Sequence, residues 1–170
     1  MVLALSAQQL AAMSAHAERV YPEECCGLMV GKILLQNEEG ESQKRLIEIV
    51  PLDNEWTAEV FPEDTSTASA QPKRRRYSIS PEDMLRTQRQ AREQGLSIIG
   101  VYHSHPDHEA VPSECDRALA WPEYAYVIVS VRSGQAVDVK NWALDSTHQF
   151  QPEVMRISPS SARDRMPVSA

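Results

Sequence analysis

The stretch GVYHSHPDHEAVPSECD, Gly100 to Asp116, decides how this chain is read. Three histidines, His103, His105 and His108, fall within six residues. The preceding SIIGVY (97–102) is apolar and β-prone, which predicts a buried strand over Ser97–His105. In an extended strand residues i and i+2 point to the same side. His103 and His105 therefore present two imidazoles on one face, at a strand end. Pro106 and Pro112 punctuate the turn that follows. Ser113 can cap a short helix over Ser113–Ala120 that carries Asp116 in its first turn. Two neutral imidazoles and one carboxylate, with a position open for water, form a ligand set that suits catalytic zinc. Histidine pairs of this spacing also decorate ordinary surface strands. The rigid apolar strand before this pair, and the serine and aspartate after it, favour a metal site. His108 lies in the turn, where pleating fixes no direction, so its part in such a site stays open, as does that of Cys115. Asp107 is placed to orient a histidine from outside.

Working outward, Tyr124–Val131 (YAYVIVSV) reads as a strand buried on both faces. Ser133-Gly134 makes a hairpin turn, and Ala136–Leu144 returns as an alternating strand. Upstream, Ser80 caps a helix with Pro81 at its first position and acids in its first turn, and Gly95 ends it. Ser6 caps an amphipathic helix over Ser6–Val20, stopped by Pro22. Glu23–Gly31 (EECCGLMVG) is a short apolar strand with Cys26, Leu28 and Val30 on one face, Cys25 and Met29 on the other. Arg45–Pro51 fits a strand with Leu46, Glu48 and Val50 sharing a face, reached through the QNEEG turn (36–40). Between them, Asp53–Arg76 is a long polar connection ending in the basic run Lys73–Arg76. Connections of that length often cover or bind a ligand. The basic run is either a solvated segment or a contact for an acidic partner or carboxylate. From Ser158 the chain is rich in Ser, Pro, Ala and Arg and reads as a flexible tail over 158–170. The expectation is one domain over 1–157, of mixed α/β class.

Composition narrows the partners. The 170 residues carry a net charge of −7, which does not suit nucleic acid or an anionic membrane. Three cysteines, two of them adjacent, make a structural disulfide a poor expectation and a reducing cytoplasm the simpler one. The N-terminus lacks the basic region of a signal peptide, and nothing approaches the roughly 20 apolar residues of a membrane span.

Zinc chemistry also needs a base. A bound zinc lowers the pKa of a water toward about 7, and a non-ligating glutamate can carry that water's proton. Glu23 and Glu24 both qualify, at the entry of a strand. Ser113 could donate to a developing oxyanion, since its oxygen accepts in the cap and its proton is left to donate.

His103-Ser104-His105, seven residues, Ser113, two residues, Asp116 matches the JAMM motif of MPN-domain zinc metalloproteases, and HSHPDH with PSE is similar to their stand-alone prokaryotic branch. Tyr21–Gly27 (YPEECCG) resembles the family's Pro-x-Glu-x-Cys-Gly segment, which selects Glu24 over Glu23 and matches Cys26 to the family cysteine. The likeness runs from about Ser6 to Leu144. It implies a cytidine-deaminase-like α/β fold with a mixed β-sheet packed between helices. It implies one zinc ion on His103, His105 and Asp116 with water as fourth ligand, Glu24 as general acid/base, Ser113 as oxyanion donor, and no further cofactor. The reaction it implies is peptide or isopeptide hydrolysis on ubiquitin or on ubiquitin-like sulfur carrier proteins with a C-terminal Gly-Gly. The 53–76 segment falls where the family inserts a substrate-covering loop. Two other classes are weighed against the same residues, and a catalytically silent scaffold that binds a protein partner stays as the alternative. Scaffold members of the family have lost the motif kept here. Nucleoside deaminases need a Pro-Cys-x-x-Cys that this chain lacks. Monomer and homodimer are both compatible with the sequence.

Overall fold

The computed structural model describes residues 1–35, 41–57 and 76–159. The QNEEG turn, the interior of the 53–76 connection with Lys73–Arg75, and the tail beyond Pro159 lie outside the described residues.

Eight strands and three helices follow in the order β1 (Val2–Ser6), α1 (Ala7–Val20), β2 (Cys26–Leu34), β3 (Gln43–Leu52), α2 (Pro81–Glu93), β4 (Ser97–Pro106), α3 (Glu114–Leu119), β5 (Ala125–Arg132), β6 (Gln135–Leu144), β7 (Phe150–Pro152) and β8 (Val154–Ser158) among the described residues. They form one mixed sheet ordered β7-β6-β5-β4-β2-β3-β1-β8. Only a single residue, Glu153, separates β7 on one edge from β8 on the other, so the sheet curls until its two ends meet. Met155 of β8 and Val139 of β6 accordingly join one hydrophobic cluster around Met13 and Ala17 of α1. The other face packs Cys26, Leu28, Val30 and Val101 against Ala91 of α2 and Ala120 beyond α3. The expected sheet between helices is what forms.

Local sequence explains the helices. Ser6 and Gln9 make a reciprocal capping box at α1, and Ser80 accepts from the Asp83 N–H at α2 with Pro81 next to it. Gly95 takes φ +66° beyond α2, the left-handed turn that closes a helix. Ser133 and Gly134 both take positive φ in the β5–β6 hairpin, as the expected tight turn requires.

Two expectations need correction. Leu46 and Val50 do not share a face: Leu46 packs with the α1 cluster and Val50 with the α2 cluster. The register skips Ile47, where Val30 opposes Glu48 but Gly31 opposes Leu46. One bulged residue flips everything beyond it to the other side. The Gln9 amide covers the bulge by donating to the carbonyls of Leu46 (3.4 Å) and Ile47 (3.0 Å). The segments around Val2–Ser6 and Phe150–Ser158 are strands where none was expected, and Ser158 belongs to β8.

Candidate metal centre

β4 is one of the two central strands, antiparallel to β2 and parallel to β5. The chain leaves its carboxyl end through the 107–113 turn and crosses back to β5 by way of α3. Ligand sites collect at the carboxyl ends of parallel strands, because there the crossing segments diverge. Another skipped register position, at Ile99, lies earlier in β4. Beyond it Val101, His103 and His105 face the α2 and α3 side, and Tyr102 and Ser104 face α1.

His103 is fully buried and His105 is 8% exposed. Their Nε2 atoms lie 3.2 Å apart. Asp116, from the first turn of α3, puts Oδ1 3.2 Å from His103 Nε2 and Oδ2 3.5 Å from His105 Nε2. These three residues are the metal-capable cluster among the described residues. The spacing tests the fit of a metal. A tetrahedral zinc with bonds of about 2.0–2.1 Å requires ligand atoms roughly 3.3–3.4 Å apart. Electron-rich atoms at 3.2–3.5 Å around one point fit that requirement. The tautomer agrees, since His105 Nδ1 meets the Glu109 carbonyl at 2.8 Å and must carry the proton there. Burial also holds His103 below the ordinary imidazole pKa although Asp116 pulls the other way, which favours the neutral, ligating form. Burial alone would raise Asp116. The charge and hydrogen bonds of His103, with bonds from His105 and Ser113, instead hold its carboxyl well below the usual carboxylate range.

Ser113 caps α3 in a box with Asp116. The Asp116 N–H donates to Ser113 Oγ at 3.1 Å, and the Ser113 N–H donates to Asp116 Oδ2 at 2.6 Å. The hydroxyl proton is not left free as expected: Ser113 Oγ donates to Asp116 Oδ2 at 2.7 Å. Glu24 precedes β2, whose first residue Cys26 pairs with His103. The same pairing continues one step back, where Cys25 is held at both ends by Ser104: the Ser104 N–H donates to the Cys25 carbonyl (3.1 Å), and the Cys25 N–H donates to Ser104 Oγ (2.8 Å). Glu24 directly precedes Cys25, near enough to Asp116 for that charge to act on it. Glu24 is 4% exposed, and burial, then the Asp116 charge, pushes its pKa well up.

At φ +58° Asp107 accepts from the Tyr21 hydroxyl (2.9 Å) and the Ser133 N–H (3.0 Å). The group that meets His105 Nδ1 is the backbone carbonyl of Glu109. His108 is exposed and its carbonyl accepts from Ser130 Oγ. Neither His108 nor Cys115 joins the cluster. Two participants escape the sequence reading. Ser104 reads there as the spacer of the histidine pair, although its polarity in an apolar strand is a signal. Tyr77 stacks on the His103 ring at 4.5 Å between centroids. Burial, then Asp116, keeps its phenol protonated.

Residues 6–145 match the family of prokaryotic homologs of the JAB domain. A CysO-cysteine peptidase of Mycobacterium tuberculosis is 27% identical over 144 residues, covering 84% of this chain and 83% of that protein. A desampylase of Haloferax volcanii is 39% identical over 66 residues, 38% of this chain and 47% of the relative. The solution structure of a Desulfitobacterium hafniense protein superposes with a TM-score of 0.71 at 22% identity, covering 98% of this chain and 99% of that one.

Proposed function

The chain belongs to the prokaryotic homologs of the JAB domain, and from that membership we propose a zinc-dependent peptidase or isopeptidase. It hydrolyses the amide bond that follows a Gly-Gly tail on a ubiquitin-like or sulfur carrier protein, in C-terminal processing or deconjugation. One observation carries the reading: two imidazole nitrogens and a carboxylate converge at 3.2–3.5 Å beside a buried glutamate. The names of the relatives, a CysO-cysteine peptidase and a desampylase, support the substrate class.

His103, His105 and Asp116 would hold the zinc. When bound, zinc acidifies a water and polarises a carbonyl. Glu24 takes the proton of the attacking water and returns it to the leaving amine. Its burial suits that work, because a carboxylate with a raised pKa is a better base at neutral pH. Ser113 donates to the oxyanion only by turning its hydroxyl away from Asp116, which keeps the Ser113 N–H as a partner. Tyr77 walls the His103 ring against solvent. An extended Gly-Gly tail has no side chains to clash with such a wall.

The test is cleavage of a carrier protein fused through Gly-Gly to a reporter, with added zinc and with a chelator. Cleavage only with zinc supports the reading. Equal cleavage in both overturns it.

A further inference from the structure

Asn54 follows β3 by two residues and makes four hydrogen bonds in three directions. Its Nδ2 donates to the Glu24 carbonyl at 3.1 Å and to the Arg76 carbonyl at 2.9 Å. Its Oδ1 accepts from the Trp56 N–H at 3.0 Å and the Ser78 N–H at 3.1 Å. An amide side chain offers two donors and two acceptor lone pairs, so this one is fully used. The Glu55 N–H adds a bond to the Ser78 carbonyl at 3.0 Å. The Arg76 guanidinium lies over the Trp56 ring, 5.5 Å from its centroid, and closes the same junction from outside. Nearby, Cys26 Sγ reaches the Asp53 carbonyl at 3.6 Å.

We infer that Asn54 is a positioning residue that couples the backbone of Glu24 to the chain at Trp56 and at Arg76–Ser78. The inference rests on Glu24 being the proton carrier of the reaction proposed above. Glu24 precedes β2. Ser104 fixes the chain on one side through Cys25, and Asn54 fixes it on the other through the Glu24 carbonyl. Neither of the nearest substitutes supplies that pair of donors with the same reach: an aspartate has no N–H, and a serine is too short to span both carbonyls. The coupling makes the placement of a catalytic carboxylate depend on Tyr77, which stacks on His103 one residue after the Arg76 carbonyl.

The experiment compares the full zinc-loaded chain with N54A and N54D. N54D keeps an oxygen for the Trp56 and Ser78 N–H groups and loses both donations. Three readouts are taken: zinc content, kcat and KM on the Gly-Gly fusion, and hydrogen exchange of the Cys25, Trp56 and Ser78 amides. In N54A zinc content stays at parity, KM changes by less than about twofold, kcat falls about a hundredfold, and all three amides exchange faster. In N54D the Cys25 amide exchanges faster and kcat falls as in N54A, while Trp56 and Ser78 keep their protection. A rise in KM with kcat unchanged, or a Cys25 amide unaltered in both variants, overturns the inference. If N54A does not fold, N54D decides by the same two criteria. A wild-type chain that cleaves nothing overturns the reaction, and the exchange data then decide the coupling alone.

Discussion

At the scale of single residues, the proposed chemistry separates holding from reacting. Replacing Glu24 by Gln keeps size and burial and removes the base. We expect zinc content to stay unchanged while kcat falls about 10²–10⁴-fold, measured by metal analysis and steady-state kinetics on the same preparation. Loss of zinc with activity would assign Glu24 to the ligand set instead. The pH profile follows from the same burial. The reactive form is the carboxylate, so kcat/KM drops as pH falls through the Glu24 pKa. That pKa is raised by burial, then by Asp116. The acid limb should therefore sit above the usual carboxylate value of about 4.3, and it should vanish in what activity E24Q retains. Cys25 gives a separate test. Burial pushes its thiol up to about 11, and Cys26 is shifted the same way. The thiolate is the reactive form. Alkylation at pH 8 should leave both unmodified in the native protein and modify both after denaturation, read by mass spectrometry.

At the scale of elements, the pairing of β2 with β4 carries the site. Gly27 pairs directly with Tyr102, and a Cβ on Gly27 would fall 2.3 Å from the Tyr102 ring. Tyr102 cannot swing freely, since it is fully buried and its hydroxyl meets His16 Nδ1 at 2.9 Å. G27A should cost about 1–3 kcal/mol by overpacking. Thermal unfolding should show a Tm lower by several degrees, at roughly 2–4 °C per kcal/mol, with a parallel loss of zinc affinity because His103 adjoins the displaced ring. The same elements show what the chain's pattern reveals. Helix ends were legible because a cap is written in neighbouring residues, as Ser6 with Gln9 and Ser80 with Pro81. The convergence of His103, His105 and Asp116 was legible because pleat and cap fix the three within short stretches. The reversal at Ile47 was not, since a bulge is set by the partner strand. Val2–Ser6 escaped because five residues directly before a helix show too little alternation. Asn54 escaped because its partners lie thirty residues upstream and over twenty downstream.

At the scale of the whole molecule, the curled sheet is fastened at its seam by buried charge. Lys44 of β3 and Glu153 meet at 3.3 Å, with side chains only 2% and 6% exposed. Asn141 of β6 donates to the same carboxylate at 2.8 Å, and the Glu153 N–H donates to the Asn141 carbonyl at 2.9 Å. Removing one member strands the other. K44M should cost about 3–5 kcal/mol in urea unfolding, and a double K44M/E153M variant should recover part of that loss. Recovery of none would mean that Asn141, not the ion pair, holds the seam.

Glu153 has a wider consequence. The family match ends at residue 145, before the strap that runs from Phe150 to Ser158. That strap acts as a buckle: it lies along Trp142–Leu144 of β6 with one half and along β1 with the other. A chain cut after Asp145 would keep His103, His105 and Asp116 and still uncover the backbone groups of Trp142–Leu144 and Val2–Ser6 that the strap now pairs. Such margins recruit strands from neighbouring molecules. A version trimmed to the family boundary would accordingly keep that cluster and gain bare margins, and it should associate margin to margin more readily than the full chain.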